Sequence, residues 1–211
     1  MGKSYEKKID KIQNDFKDIF KVLIKENNLI VDIIQNCSKQ NVKDAKNALS
    51  IDNTTEAIEK IDKTITELLS LNDIDEKDIK QLAKHLKINS DILKISKNTR
   101  VVVSKLELCC DEIEDKNIKK NVLKIYNNII KVLNTLIDIL ELDDEDEISD
   151  AYDDIVIIDS KIDSIYEDIN KYILKKSDKK DDYSDIMIMI RKTEKLSSRA
   201  VSIASLIKFC Y

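Results

Sequence analysis

Proline is absent from this chain, and glycine occurs once in 211 residues. Tight β-turns depend on residues that preset φ or tolerate positive φ, so hairpins, sandwiches and barrels are poorly served here. The remaining composition suits long amphipathic helices. Charged residues make up 36% of the chain and aromatics 5%, with Ile, Leu and Val spread through the charged background. The expected fold class is all-α. A chain of this length buries roughly 70% of the surface its unfolded form exposes, enough for a substantial core.

Apolar residues at three- and four-residue spacing predict six helices. The first runs from about Ser4 to Cys37 through Ile9, Ile12, Phe16, Phe20, Leu23, Ile30 and Ile34. The second starts at Asn53, with Glu56 completing an approximate capping box, and carries Ile58, Ile61, Ile65 and Leu68. A third follows a cap near Asp75 and presents Leu82, Leu86, Ile88, Ile92, Ile95, Val102 and Leu106. The fourth spans about Ile118 to Leu140. A fifth begins at the acidic cluster Asp143 to Glu147 and continues through Ile148, Ile155, Ile158, Ile162, Ile165, Ile169 and Ile173. It closes on Lys175 and Lys176; Asp181 and Asp182 open the sixth, each sign complementing the helix dipole at its end.

The chain is also written twice. Leu86-Lys87-Ile88-Asn89-Ser90-Asp91-Ile92-Leu93-Lys94-Ile95 has a counterpart in Ile190 to Ala204, and Glu59 to Ile65 has one in Ile157 to Asp163. Aligning Asp62 with Asp159 gives an offset of 97, and aligning Leu93 with Glu194 gives 101. Two landmarks at nearly one offset mark a duplicated unit. The expected architecture is two tandem three-helix bundles, residues 1–115 and 116–211, each long, medium, long.

The charge balance narrows the function. A net charge of −5, with Lys and Arg interspersed among the acids, argues against nucleic acid as a partner. No run of eighteen apolar residues offers a membrane span, and the N-terminus is too charged for a secretory signal. Cys37, Cys109, Cys110 and Cys210 lack C-x-x-C spacing and sit in apolar helical sequence, which reads as buried free thiols in a cytoplasmic protein. His85, the sole histidine, is expected to cap or line the surface of its helix. Asp143 to Glu147 lacks the glycine and spacing of a calcium loop and reads as a solvated helix start. Met187 and Met189 suit core or dimer surface; Tyr152, Tyr166 and Tyr172 suit partly buried packing. No nucleophile–base pairing or glycine-rich phosphate loop is present, so no enzyme is expected.

The landmark segments resemble the PhoU family, regulators of bacterial phosphate uptake. Leu86 to Asp91 is similar to the family's LKIN-x-D segment. Glu194-Lys195-Leu196 stands where E-R-I is usual, and Ala200-Val201-Ser202-Ile203-Ala204 matches an A-V-N-I-A tail in four of five places. The D-x-x-I-D segment is similar to Asp62 to Thr66 and to Asp159 to Asp163. The resemblance covers nearly the whole chain in order.

It implies paired three-helix bundles whose carboxylates hold iron, zinc or another divalent metal, since acids at i and i+4 share a helix face. The implied metal set here is Asp159, Asp163 and Glu194. Ser198 replaces a further Asp, Thr66 replaces the partner of Asp62, and Leu93 and Lys97 occupy both acid positions of the first repeat. A first-repeat metal site is therefore not expected, and ordinary solvated acids are the competing reading of Asp159 and Asp163. The resemblance further implies a homodimeric adaptor. Its partners would be the ATPase subunit of a phosphate ABC transporter and a membrane sensor kinase. The alternatives are an accessory of a low-affinity phosphate permease and a dimerising bundle with no phosphate role.

Overall fold

Aspartate side chains cap the starts of three of the long helices in this molecule. The computed structural model describes residues 2–50, 54–71, 74–176 and 183–209. In order these form α1 (Gly2–Gln35), α2 (Lys39–Ser50), α3 (Thr54–Leu69), α4 (Glu76–Leu106), α5 (Cys110–Ile113), α6 (Lys116–Ile139), α7 (Glu145–Lys176) and α8 (Ser184–Lys208), with no strand among the described residues.

The Asp75 carboxylate accepts from the Asp78 backbone N–H at 2.8 Å and starts α4, as its sequence position predicts. Asp144 does the same for α7, accepting from Asp146 at 2.9 Å and Glu147 at 3.0 Å. Asp115 caps α6 through the Asn117 and Ile118 N–H groups at 2.9 and 3.2 Å. Lys175 and Lys176 occupy the last turn of α7. The expected cap at Asn53 and the Asp181–Asp182 pair lie outside the described residues.

The apolar stripes face inward as the spacing predicts. Ile9, Ile12, Phe16, Phe20, Leu23, Ile30 and Ile34 of α1 are buried, as are Ile58, Ile61, Ile65 and Leu68 of α3. On α7 the buried residues include Ile148, Ile155, Ile162 and Ile169, a strict seven-residue repeat. Ile158 and Ile165, expected on the same stripe, are only partly buried against the core, so the fully buried face of α7 is narrow and its acidic flanks lie outside. Its counterpart α3 buries residues every three to four positions and is embedded more fully.

The duplication is visible in what packs on what. Equating α1, α3 and α4 with α6, α7 and α8, the most extensive pairing joins α4 to α8, and α1 also packs along α6. Equivalent helices therefore meet each other, as expected when two copies of one unit pack about a local twofold. Within each half, α3 lies on α4 and α7 on α8. The buried side chains form one continuous core across both halves.

Several expectations need correction. Six helices become eight helical elements among the described residues, because α2 and the single turn α5 were hidden in the sequence. α2 exposes most of its length and buries Val42, Ala45 and Leu49, too small an apolar face to stand out. The long, medium, long pattern holds for the first half only; α7, at 32 residues, is longer than α6 or α8. Cys37 and Cys110 are not free thiols but a disulfide with Cα atoms 5.4 Å apart, while Cys109 is the free buried one. Cys210 lies outside the described residues. His85 is not at the surface. It is buried against Phe16 of α1, ring centroids 5.9 Å apart, and its imidazole pKa is lowered to about 4, first by burial and then by Lys84.

Candidate carboxylate site on α7 and α8

Asp159 and Asp163 lie one turn apart on α7, and Glu194 projects from the neighbouring α8. Asp159 is half-buried, and its Oδ1 is enclosed without a hydrogen-bond partner. The Asp163 carboxyl is pushed above the usual carboxylate range, first by burial and then by the negative charges of Asp159, Glu194 and Glu167. The three residues singled out in the sequence are thus close enough to repel one another. Glu194 accepts a hydrogen bond from Ser198 Oγ at 3.1 Å, the very residue that replaces the expected second acid. That hydroxyl spends its donor on Glu194 and adds no charge.

A divalent cation would relieve this repulsion only if several oxygens surrounded it. Among the described residues, no three His, Cys, Asp or Glu side chains converge closely enough to hold a metal ion. The donor set as it stands is a cluster of mutually repelling carboxylates.

In the first repeat, the position equivalent to Asp159 takes part in a structural contact. Asn89 Nδ2 of α4 donates to Asp62 Oδ1 at 2.7 Å and to the Ile58 carbonyl at 2.9 Å. Thr66 turns its hydroxyl back onto the Asp62 carbonyl at 2.8 Å. Lys97 is exposed at the position where the second acid of α4 is expected. A carboxylate, an amide and a lysine ammonium offer a cation little.

A second polar cluster escaped the sequence reading. Asp91 of α4 is 2% exposed, in the midst of the most extensive helix pairing of the molecule. Its Oδ2 accepts from Ser202 Oγ of α8 at 2.9 Å, and its Oδ1 accepts from Arg199 at 3.2 Å. Lys94 adds a contact at 3.3 Å. The two landmark segments of the duplication are therefore each other's partners: the end of LKINSD meets RAVSIA across the seam between the halves. The signal was available, since Asp91 falls between Ile88, Ile92 and Ile95 on the buried stripe, where an unpaired acid is untenable. Nearby, Tyr126 of α6 is fully buried and shares a 2.7 Å hydrogen bond with Thr193 of α8.

No family model matches the chain, and a search of curated proteins finds no match. Among solved structures, the crystal structure of PhoU from Pseudomonas aeruginosa superposes with a TM-score of 0.81, covering 98% of this chain and 98% of that one. The fold is PhoU-like. At 15% identity the likeness to PhoU is one of fold, end to end. Within this fold Asp163 of α7 lies near enough to Asp159 and to Glu194 of α8 to feel their charges. No helix is long and apolar enough to cross a membrane among the described residues.

Proposed function

We propose that this chain regulates phosphate uptake and phosphate-starvation signalling. In this reading it is a cytoplasmic, homodimeric helical adaptor that restrains the ATPase subunit of a phosphate ABC transporter and relays its state to a membrane sensor kinase. The observation that carries the reading is the end-to-end likeness of fold to PhoU, a TM-score of 0.81 over 98% of both chains. The placement of the resembling segments at the seam of the bundle supports it. Action by binding alone is the proposed mechanism: a helical surface that prefers one conformation of its partner shifts that partner's populations by its differential affinity.

A second reading is favoured by one observation. Asp62 is occupied by Asn89, and Leu93 and Lys97 stand at both acid positions of the first repeat. Such losses suit an accessory of a low-affinity phosphate permease, which would dispense with metal clusters. Purified chain titrated against the purified ATPase subunit of the cell's phosphate ABC transporter separates the two. Saturable, stoichiometric binding is expected under the adaptor reading. No binding there, with binding to the permease instead, moves the function to the second reading. Binding to neither leaves a dimerising bundle.

A further inference from the structure

The lightly anchored helix α2 is covalently tied down at its start. A twelve-residue helix is marginal alone, and α2 buries only Val42, Ala45 and Leu49 among its described side chains. Its polar contacts include an ion pair from Lys46 to Glu107 and a hydrogen bond from Asn41 Nδ2 to the Asn36 carbonyl at 2.8 Å. Along its junction with α1 runs an open groove of about 360 Å³, lined by Leu29, Ile33, Asn36, Asn41, Ala45 and Ala48 among others. Immediately before the helix, Cys37 is bonded to Cys110 at the start of α5, 73 residues further along the chain. Ser38, between the bridge and the helix, caps α2 by accepting from the Asn41 N–H at 3.1 Å.

We propose that the Cys37–Cys110 bridge is a reversible thiol–disulfide latch that holds α2 against α1 and α4, and that reduction by a low-molecular-weight thiol such as glutathione releases α2. Both sulfur-bearing residues are half-buried, so a small thiolate can reach them. The exchange balances in two steps. A glutathione thiolate attacks one sulfur of the bridge, forming a mixed disulfide and freeing one cysteine thiolate, which takes up a proton. A second glutathione thiolate then attacks the mixed disulfide at its glutathione sulfur, releasing glutathione disulfide and the second cysteine thiolate, which likewise takes up a proton. Two glutathione thiols are oxidised to one disulfide, and one protein disulfide is reduced to two thiols.

The neighbouring Cys109 does not compete. Its thiol is buried and pushed up to about 12, chiefly by burial and then by Glu112, so it supplies almost no thiolate to scramble the bridge. Closing the latch fixes a loop containing α2, α3 and α4. Opening it leaves α2 held by Val42, Ala45, Leu49 and its polar contacts alone, and turns the Leu29 and Ile33 side of α1 toward solvent.

The test compares full-length protein equilibrated with oxidised or with excess reduced glutathione. Thiols are blocked by alkylation and peptides are mapped by mass spectrometry, and limited trypsin digestion is followed in parallel. The oxidised sample should yield Cys37 and Cys110 in one cross-linked peptide, and the reduced sample should yield both alkylated. Cleavage at Lys39, Lys43 and Lys46 should quicken about tenfold or more on reduction, as the open population rises, while cleavage at Lys195 in α8 stays constant. A Cys110→Ser variant should cleave at the fast rate in either buffer, and the reduced natural chain makes the same point if that variant fails to fold. Alkylation of both cysteines in the oxidised sample would overturn the proposal. So would equal α2 cleavage rates in the two buffers.

Discussion

Asp91 shows how one residue joins two halves of a chain. A carboxylate 2% exposed must be paired, and Arg199, Ser202 and Lys94 supply the partners. The partners differ in exposure: the Arg199 side chain is 43% exposed and can turn to water, whereas Asp91 cannot. Arg199→Leu should therefore cost roughly 2 kcal/mol, because a buried carboxylate loses its main counter-charge. Asp91→Asn should cost about 1 kcal/mol or less, since the amide keeps the Ser202 contact. Urea denaturation of the two variants checks the order; a costlier Asp91→Asn would contradict it. His85 makes a second prediction. Its folded pKa, lowered to about 4, lies below the unfolded value, so the folded state resists protonation. The associated stability is complete above about pH 6.5 and is lost as pH falls toward 4, up to roughly 3 kcal/mol in all. His85→Gln should flatten stability against pH in that window, and an unchanged slope would place the acid sensitivity elsewhere.

At the scale of elements, α7 carries the main tension. It meets its neighbours along a one-in-seven isoleucine seam and holds Asp159 and Asp163 against Glu194 of α8. The folded pKa of Asp163 is raised, so its contribution favours the fold at low pH and is lost as pH rises through that folded value. Asp163→Asn should accordingly raise the melting temperature at neutral pH and leave it unchanged in strong acid. Plasma mass spectrometry of the purified protein should find no stoichiometric metal. Stoichiometric iron or zinc that disappears in Asp159→Ala/Asp163→Ala would instead show that the cluster closes around a cation. The sequence made long amphipathic elements such as α1, α4 and α8 legible, because each repeats its apolar residues over many turns. It hid α2, whose apolar face is one Val, two Ala and one Leu, and α5, which is a single turn. The Asp159 and Asp163 pair was legible because i, i+4 spacing on α7 is local, whereas the addition of Glu194 from α8 rested on the family resemblance. The pairing of Asp91 with Arg199 and the Cys37–Cys110 bridge were not, because spacing along a chain says nothing of which distant helix lies alongside.

For the whole molecule, the meeting of equivalent helices has a mechanical consequence. α4 buries its apolar stripe largely on α8, and α1 lies along α6, so neither half completes its core alone. Residues 1–115 and 116–211 expressed separately should each be only partly helical and prone to self-association through the uncovered α4 or α8 face. Mixed in equal amounts, they should regain helicity and cooperative melting. Full helicity of each isolated half, with no gain on mixing, would mean that the seam contributes little. An intact seam joins the two halves through one continuous core and leaves the acidic flanks of α7 outward. The most direct test is the rate of radiolabelled phosphate import in phosphate-replete cells with and without this chain. Faster import in its absence, restored to the slow rate by the natural chain, is the expected result. An import rate indifferent to the chain would contradict a role in regulating phosphate uptake.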